Sequence, residues 1–429
     1  MPSNAARVVR EVHSEFTQPV RDPLWQNIDL SPGLYRLAQT APFQRLRDIR
    51  QLGPVYLVYP GATHTRLSHS IGVMHLAGRM IAAIADRSPE WRIEPEEVRA
   101  FLAATMLHDL GHYPNAHSLK DLAVSRHETL TAQMVQEGEV ARTLRERVGV
   151  PPELVAAIID VTLPHSTPGL PFLRALLAGV LDPDRLDYLS RDAFFCGVPY
   201  GMQDVDFVIG EMRRTACGRV AITEKGTLAV ESLLFSRYLM YRAVYWHRTV
   251  RIATAMIKRA VLLGMKDGEI RADDLYGLTD PGFLRLLDVR RHPAFVLVGD
   301  VHARRLHRQA FRVRFEPGRG THRRLELPID RLQVESRLRA AASAELGAPV
   351  EDHEVLIDVP ERNSFATDLL VQPDDGTDPI PFSGTHTVFG PDVVARFGAT
   401  LRSIAVIGSR RPGLDAALRR VAPAVIDGG

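Results

Sequence analysis

Lysine is nearly absent from this 429-residue chain. Only Lys120, Lys225, Lys258 and Lys266 stand beside a basic complement otherwise made of arginine. Cysteine is scarcer still: Cys196 and Cys217 lie at no metal-ligand spacing, which excludes a disulfide framework and a thiolate-rich metal centre. No apolar run approaches the roughly 18 to 20 residues needed to span a bilayer, and MPSNAARVVREVHSEF has no apolar signal region, so the chain reads as cytoplasmic with no membrane partner. A formal net charge of +2 gives no overall electrostatic case for a nucleic-acid partner.

What remains is an ordinary globular composition, 45% hydrophobic and 24% charged, in a chain long enough for more than one lobe. The expected class is mainly α. Residues 1–265 read as an all-helical core domain: Leu67, Ile71, Met74, Gly78 and Ile81 recur at helical spacing, and Pro95, Glu96 and Glu97 suit a first turn. Ser125 and Glu128 stand in capping-box register, and LLFSRYLMYRAVYWHRTVRIATAMIKRAVLLGM reads as one or two long helices. Residues 266–429 change character. FVLVGDVHARRLHRQAFRVRFE, EVLIDVP, TDLLVQP and IAVIGSRRP suggest short strands around the helical RLQVESRLRAAASAELG, giving a smaller C-terminal α+β lobe that ends in a helix.

Histidines concentrate in one part of the chain: His64, His69, His75, His108, His112, His117 and His127. His108 and Asp109 end an apolar helix, and Gly111 and Pro114 then break it, leaving His112 and His117 on or after a loop. Imidazoles and carboxylates that leave water must pair, bind a metal or line a wet cleft. His69 lies on another helix with Arg66 one turn before it, a metal ligand beside a phosphate clamp or simply a solvated face. In LDPDRLDYLSRDAFF, Asp182 caps a helix, and Asp184, Asp187, Tyr188 and Arg191 share one strip; Arg185, Tyr188 and Asp192 form another. Taken together, His69, His108, Asp109 and Asp184 make a two-imidazole, two-carboxylate set. It suits one divalent ion, Mn, Fe, Ni, Co or Zn, with Mg also compatible.

The order H…HD…D, carried by His69, His108-Asp109 and Asp184, resembles the HD-domain metal phosphohydrolase superfamily. More narrowly, PFQRLRDIRQLGPVYLVYPGATHTRLSHSIGV, LHDLGHYPNAHSL, RHE and LDPDRLDYLSRDAFFCGVPYG resemble its deoxynucleoside triphosphate triphosphohydrolases, over about Asp22 to Met265. The resemblance implies hydrolysis of a dNTP to deoxynucleoside and triphosphate, with His69, His108, Asp109 and Asp184 on the metal. It places His112, His117 and His127 beside the α-phosphate, His117 as general acid. Arg66, Arg185, Tyr188 and Arg237 would touch the triphosphate, Gln51 and Leu52 the sugar, Asp192 the 3′ hydroxyl, and Tyr245 the base. It also implies a homo-oligomer.

Two positions depart from the family pattern. Gln39 replaces an acidic residue that reads guanine in regulated relatives, and Lys120 then Asp121 stand where relatives place a carboxylate after His117. Arg45, Arg47, His247 and Arg248 do match positions used for activator phosphates, so a nucleotide effector of altered base preference stays compatible. Two rivals share the fold: a different HD phosphohydrolase or nuclease, and a nucleotide-sensing or nucleic-acid-binding protein. The latter leans on the arginine-rich stretch His302 to Arg324, which reads more simply as a strand edge or subunit contact.

Overall fold

The structure, a computed structural model, describes residues 3–122, 124–362, 365 and 369–427. Ser3 accepts a hydrogen bond from the Ala6 amide and starts helix α1 (Asn4–Ser14). Strands β1 (Gln18–Asp22) and β2 (Gln26–Leu30) form an antiparallel hairpin. Its turn is closed by Asp22, whose carboxylate accepts from the Leu24 and Trp25 amides, each at 2.9 Å. Then come α2 (Arg66–Asp86) and α3 (Pro95–Leu107), where Glu97 turns back to accept from the Glu94 amide at 2.9 Å. Helices α4 (His127–Gln136), α5 (Pro152–Ile159) and α6 (Pro183–Cys196) follow, the last capped by Asp182 and ended by Gly197 at φ 66°.

A short hairpin of β3 (Met212–Arg214) and β4 (Val220–Thr223) leads into α7 (Thr227–Met240) and α8 (Arg248–Lys266). The long apolar stretch is therefore two helices, and His247 caps the second by accepting from the Thr249 amide. The remaining elements are α9 (Asp280–Arg290), α10 (Val296–His302), β5 (Arg308–Arg314), α11 (Pro328–Leu346), β6 (Val355–Asp358), β7 (Leu370–Gln372), β8 (Ile380–Pro381), β9 (Ser403–Gly408) and α12 (Leu414–Asp427).

The mainly helical class and the smaller sheet-containing C-terminal region agree with the sequence. Two local expectations differ. Val296–His302 is a helix, because Leu297, Val298 and Val301 bury one side of it behind the Pro293 turn, and burial outweighs the β-branched bias. The Ser125 capping box does not form: α4 starts at His127, and the Ser125 amide instead donates to the Tyr276 hydroxyl at 2.7 Å.

Three apolar cores organise these elements. The first gathers α1 to α7 and takes in Leu369, Val371 and Phe382 from beyond Lys266, where β7 joins β4 in parallel to build the sheet β3-β4-β7-β8. The second gathers α8, α9 and α10 with Tyr113, Ala116, Leu119 and Leu122. The third packs α11 and α12 on one face of the antiparallel sheet β5-β9-β6 through Ile404, Val406, Val355 and Ile357, while Ala405, Ile407 and Leu356 of its other face meet the second core. The composition change near Lys266 thus coincides with the end of α8, and packing runs across it.

Helices α2 and α6 meet at Gly72, where an added Cβ would overlap the Asp187 carboxylate and the Arg191 guanidinium. Both are buried side chains. Gly72→Ala should therefore destabilise the protein by about 1–3 kcal/mol, the usual cost of overpacking a closed core. Chemical denaturation of the pure variant reads this directly, and a midpoint equal to wild type would show that the contact can relax.

Candidate metal centre

His69, His108 and Asp109 reach one point from two helices. His69 lies one turn into α2, and the His108-Asp109 pair follows directly on α3. One ligand atom from each of the three lies within 4.8 Å of the others. Asp184, in the first turn of α6, closes the open side: its Oδ1 is 3.0 Å from His69 Nε2 and 3.8 Å from His108 Nε2. Its side chain is 38% exposed, against 5% or less for His69 and Asp109. The cluster therefore has one wet side.

The outer nitrogens set the tautomers. His69 Nδ1 lies 2.8 Å from Asp187 Oδ2, and His108 Nδ1 lies 2.8 Å from the Thr105 carbonyl oxygen. If both Nδ1 atoms donate, both Nε2 atoms carry lone pairs. Each Nε2 is buried and faces carboxylate oxygens, Asp184 Oδ1 in both cases, without a hydrogen bond of good geometry. Two orphaned imidazole nitrogens directed at two carboxylates fit a divalent cation held by a mixed nitrogen and oxygen set, and no sulfur takes part.

The surrounding carboxylates also draw positive charge toward His69, which either a second proton or a cation at Nε2 would supply. Burial alone would depress His69, but Asp184 and Asp187 outweigh it and raise the imidazole to about 10. Burial would raise Asp109, yet His112, His108 and Arg66 hold it well below the carboxylate range. Asp184 is held low in the same way by His108 and His69.

Asp187 was legible in the sequence only as part of a polar strip, and it proves to be the most heavily bonded carboxylate behind the site. Its Oδ1 accepts from Trp25 Nε1 at 2.6 Å and Arg191 at 2.9 Å; its Oδ2 accepts from Arg191 Nε at 2.8 Å and faces His69. Arg191 also donates to Asp22 at 2.8 Å. The N-terminal hairpin turn thus braces the back of the centre. A glycine at position 72 within a helix, three residues after His69, was the available clue to this close approach.

The other histidines border the centre. His112 Nε2 lies 3.1 Å from Asp109 Oδ1; its ring stacks on His127 with centroids 4.0 Å apart and meets His117 at 4.9 Å. Asp109, His112 and His127 also bring ligand atoms within 4.8 Å of one another. Burial pushes His112 and His117 well below the usual imidazole range and His127 to about 4; Arg66 adds to this for all three and Lys120 for His117 and His127. Asp121 does not offset Lys120 here, because it pairs with Lys258 and Arg331. Gly111 lets this loop lie on α4: its amide donates to Thr131 Oγ1 at 2.8 Å, and an added Cβ would overlap the His127 carbonyl oxygen.

The remaining site residues form a second group beside the first. Asp192 is buried, with Oδ1 2.9 Å from His64 Nε2 and Oδ2 accepting from the Tyr245 hydroxyl at 2.6 Å. His64, to which the sequence assigned no role, stacks on Phe195. The Gln51 backbone N–H donates to the His64 carbonyl oxygen at 3.0 Å, and its buried side-chain Oε1 has no partner; Leu52 packs against the first core. Tyr188 and Tyr245 meet edge to face at 6.4 Å. Arg66 donates to Asp109, and Arg185 bonds the Gly179 carbonyl and pairs with Asp182 at 3.4 Å. Arg237 lies over the Tyr241 and Phe365 rings, and its charge reaches Asp182 and Tyr188. Arg45, matched above to an activator phosphate, is spent on carbonyls: it donates to His112 at 2.8 Å, to Leu278 at 3.0 Å and to Leu110.

Comparison with known proteins places this geometry. The HD domain model matches residues 66–192, and the HD associated region matches residues 204–375. The uncharacterized protein YwfO of Bacillus subtilis is 32% identical over 69% of this chain and 72% of its own length. The chain belongs to the HD-domain family. Other relatives of this HD-domain chain include human deoxynucleoside triphosphate triphosphohydrolase SAMHD1, 27% identical over 63% of this chain, which spans about half, 47%, of that longer protein. A phosphohydrolase of Bacteroides thetaiotaomicron has a similar solved structure, with TM-score 0.70 and 25% identity over 91% of this chain and 99% of that one. No helix among the described residues is long and apolar enough to cross a membrane.

Two outcomes follow from the bracing of His69. Asp187→Asn should weaken Co(II) or Zn(II) binding about 10- to 100-fold in competition with a chelator, the range for lost outer-shell partners; unchanged affinity would remove Asp187 from the design. His75 lies on α2 behind the same network. Burial, then Arg79, holds it near 4, against the pull of Asp187, Asp22 and Asp29. The folded form refuses a proton that the unfolded chain accepts near 6.5, so His75 costs nothing above about pH 6.5 and removes stability as pH falls toward 4. His75→Gln should lose less urea stability than wild type between pH 7 and pH 5, and an equal loss in both proteins would contradict this.

Proposed function

We propose that this HD-domain protein hydrolyses deoxynucleoside triphosphates to deoxynucleoside and inorganic triphosphate. Family membership and the Bacteroides neighbour support a phosphohydrolase, and the dNTP is the finer step proposed here. The observation that carries the reading is the pair of buried, unpartnered Nε2 atoms of His69 and His108 beside Asp109 and Asp184, bordered by Arg66 and three further histidines. The similarity to dNTP triphosphohydrolases, spread over 63% of the chain, supports the substrate class.

His69, His108, Asp109 and Asp184 would hold one divalent ion, Mn, Fe, Ni, Co, Zn or Mg. Such an ion supplies a lowered pKa for bound water and neutralises phosphoryl charge. The protein's own groups do the rest. Arg66, Arg185, Tyr188 and Arg237 orient the triphosphate, the arginines as paired donors. His117 donates a proton to the departing 5′ oxygen, with His112 and His127 ordering the α-phosphate. Burial, then Lys120 and Arg66, hold His117 low, and the negative charge of a bound triphosphate would oppose the two cationic contributions. Gln51 and Leu52 line the sugar, and Asp192, held by His64 and Tyr245, faces its 3′ hydroxyl while the Tyr245 ring lies near the base.

The reading includes a homo-oligomer. An effector nucleotide would have Arg47 and Arg248, both exposed, and not Arg45, whose guanidinium is taken by backbone carbonyls. The nucleic-acid alternative gains little: in its arginine-rich stretch, Arg305 pairs with Asp300 and Arg312 donates to the Ser403 hydroxyl, uses that suit a strand edge.

Incubating all four dNTPs and their ribonucleotides with each metal should release intact triphosphate from the deoxy substrates. His108→Ala and Asp184→Ala should abolish that release, at least 100-fold, with unchanged circular dichroism. Pyrophosphate or monophosphate as product would assign a different HD chemistry, and undiminished turnover by either variant would reject the site.

A further inference from the structure

The candidate site lies on a seam between two cores. The metal-binding set stands on the first: His69 on α2, Asp184 on α6, and His108-Asp109 directly after α3. From Leu110 onward the chain crosses over. Tyr113, Ala116, Leu119 and Leu122, which flank His117 on both sides, are buried in the second core with Met256 and Val261 of α8 and Phe283 of α9. His117 itself lies in the one-turn helix Ala116–Leu119. The turn that carries the proposed acid is thus packed on a different core from the metal-binding set.

Apolar contact holds that turn against the second core without fixing where it sits along it. Asp121 supplies the fixed point. Its Oδ1 lies 2.7 Å from Lys258 Nζ on α8, and its Oδ2 accepts from Arg331 on α11. Both cationic side chains are at most 8% exposed. Lys258 also meets Glu361 at 3.5 Å; Glu361 meets Arg251, which makes two bonds to Asp358 of β6. Asp121 is therefore anchored to the sheet of the C-terminal lobe through a chain of buried and half-buried charges. Arg45 ties the other end of the crossover, joining the Leu110 and His112 carbonyls to that of Leu278.

We propose that Lys258 and Arg331 are positioning residues for the proposed reaction: they touch no substrate, and by holding Asp121 they set where His112 and His117 stand relative to His69, His108, Asp109 and Asp184. This rests on the dNTP-hydrolase reading above. Its consequence is a division of labour, in which the first core binds the metal and the C-terminal lobe places the proton donor. Misplacing a catalytic group by about 1 Å costs on the order of 100-fold in rate.

The test separates kcat from metal binding. Arg331→Met should lower kcat on the order of 100-fold, with KM for dNTP and metal content per chain unchanged. Arg331→Lys should recover most of the loss. Asp121→Asn should lose a similar factor alone and little more when combined with Arg331→Met, because one interaction is cut twice. Amide exchange should accelerate in peptides covering 113–122 and stay slow in α2 and α6. Loss of metal in step with kcat, an unchanged kcat, or additive losses in the double variant would overturn the proposal. If Arg331→Met does not fold, Arg331→Lys against Lys258→Arg decides through the same kcat and metal readouts. Should wild type cleave no dNTP, the function falls separately, and exchange in 113–122 still shows whether the clamp holds the turn.

Discussion

A histidine buried between two carboxylates governs this structure. His69 is 1% exposed, faces Asp187 with one nitrogen and Asp184 with the other, and could not be left in an apolar core without them. Satisfying it requires Asp187 to be deep in the protein, and a buried carboxylate requires donors. Arg191 and Trp25 provide these, and Arg191 in turn needs Asp22. The demand propagates outward until it reaches the N-terminal hairpin, whose turn is itself closed by Asp22. Removing Asp187 or Arg191 takes from the other its paired charge in a buried place, which is why a site opening at the surface is braced from far behind.

That bracing explains the division of the fold. Within the first core, Asp187, Arg191, Trp25 and Asp22 fix the His69 ring, and a fixed ring is what an inward-facing imidazole nitrogen needs. The residues beyond Asp109 are held differently. Tyr113, Ala116, Leu119 and Leu122 pack on a separate core, where Asp121 pairs with Lys258 and Arg331. Arg45 spans the two, since its guanidinium bonds carbonyls on the crossover and on the segment before α9.

The residues that meet at the centre were legible because their chemistry is conspicuous: imidazoles beside carboxylates at the ends of apolar helices have few uses. Helix starts marked by Pro183 and Asp182 were equally plain, since one residue performs each job locally. What stayed hidden depends on partners distant in the chain. Asp187 looks like any member of a wet helix face until α2 packs on it, and Trp25 stands 162 residues before it. Arg45 carried the charge expected of a phosphate ligand, but a side chain's charge does not say whether backbone carbonyls will claim it. The FVLV run misled for the same reason, its helix being decided by burial against α8.

The position after His117 shows how tertiary pairing can reverse a local inference. Lys120 and Asp121 look like a cancelling pair, leaving the imidazole's charge open. In the fold they separate: Asp121 is drawn to the second core, and Lys120 remains as a cation acting on His117. Burial, then Lys120 and Arg66, hold this imidazole well below its usual range. The Lys120 contribution stands uncancelled because an aspartate leaves its neighbour to serve as a structural anchor.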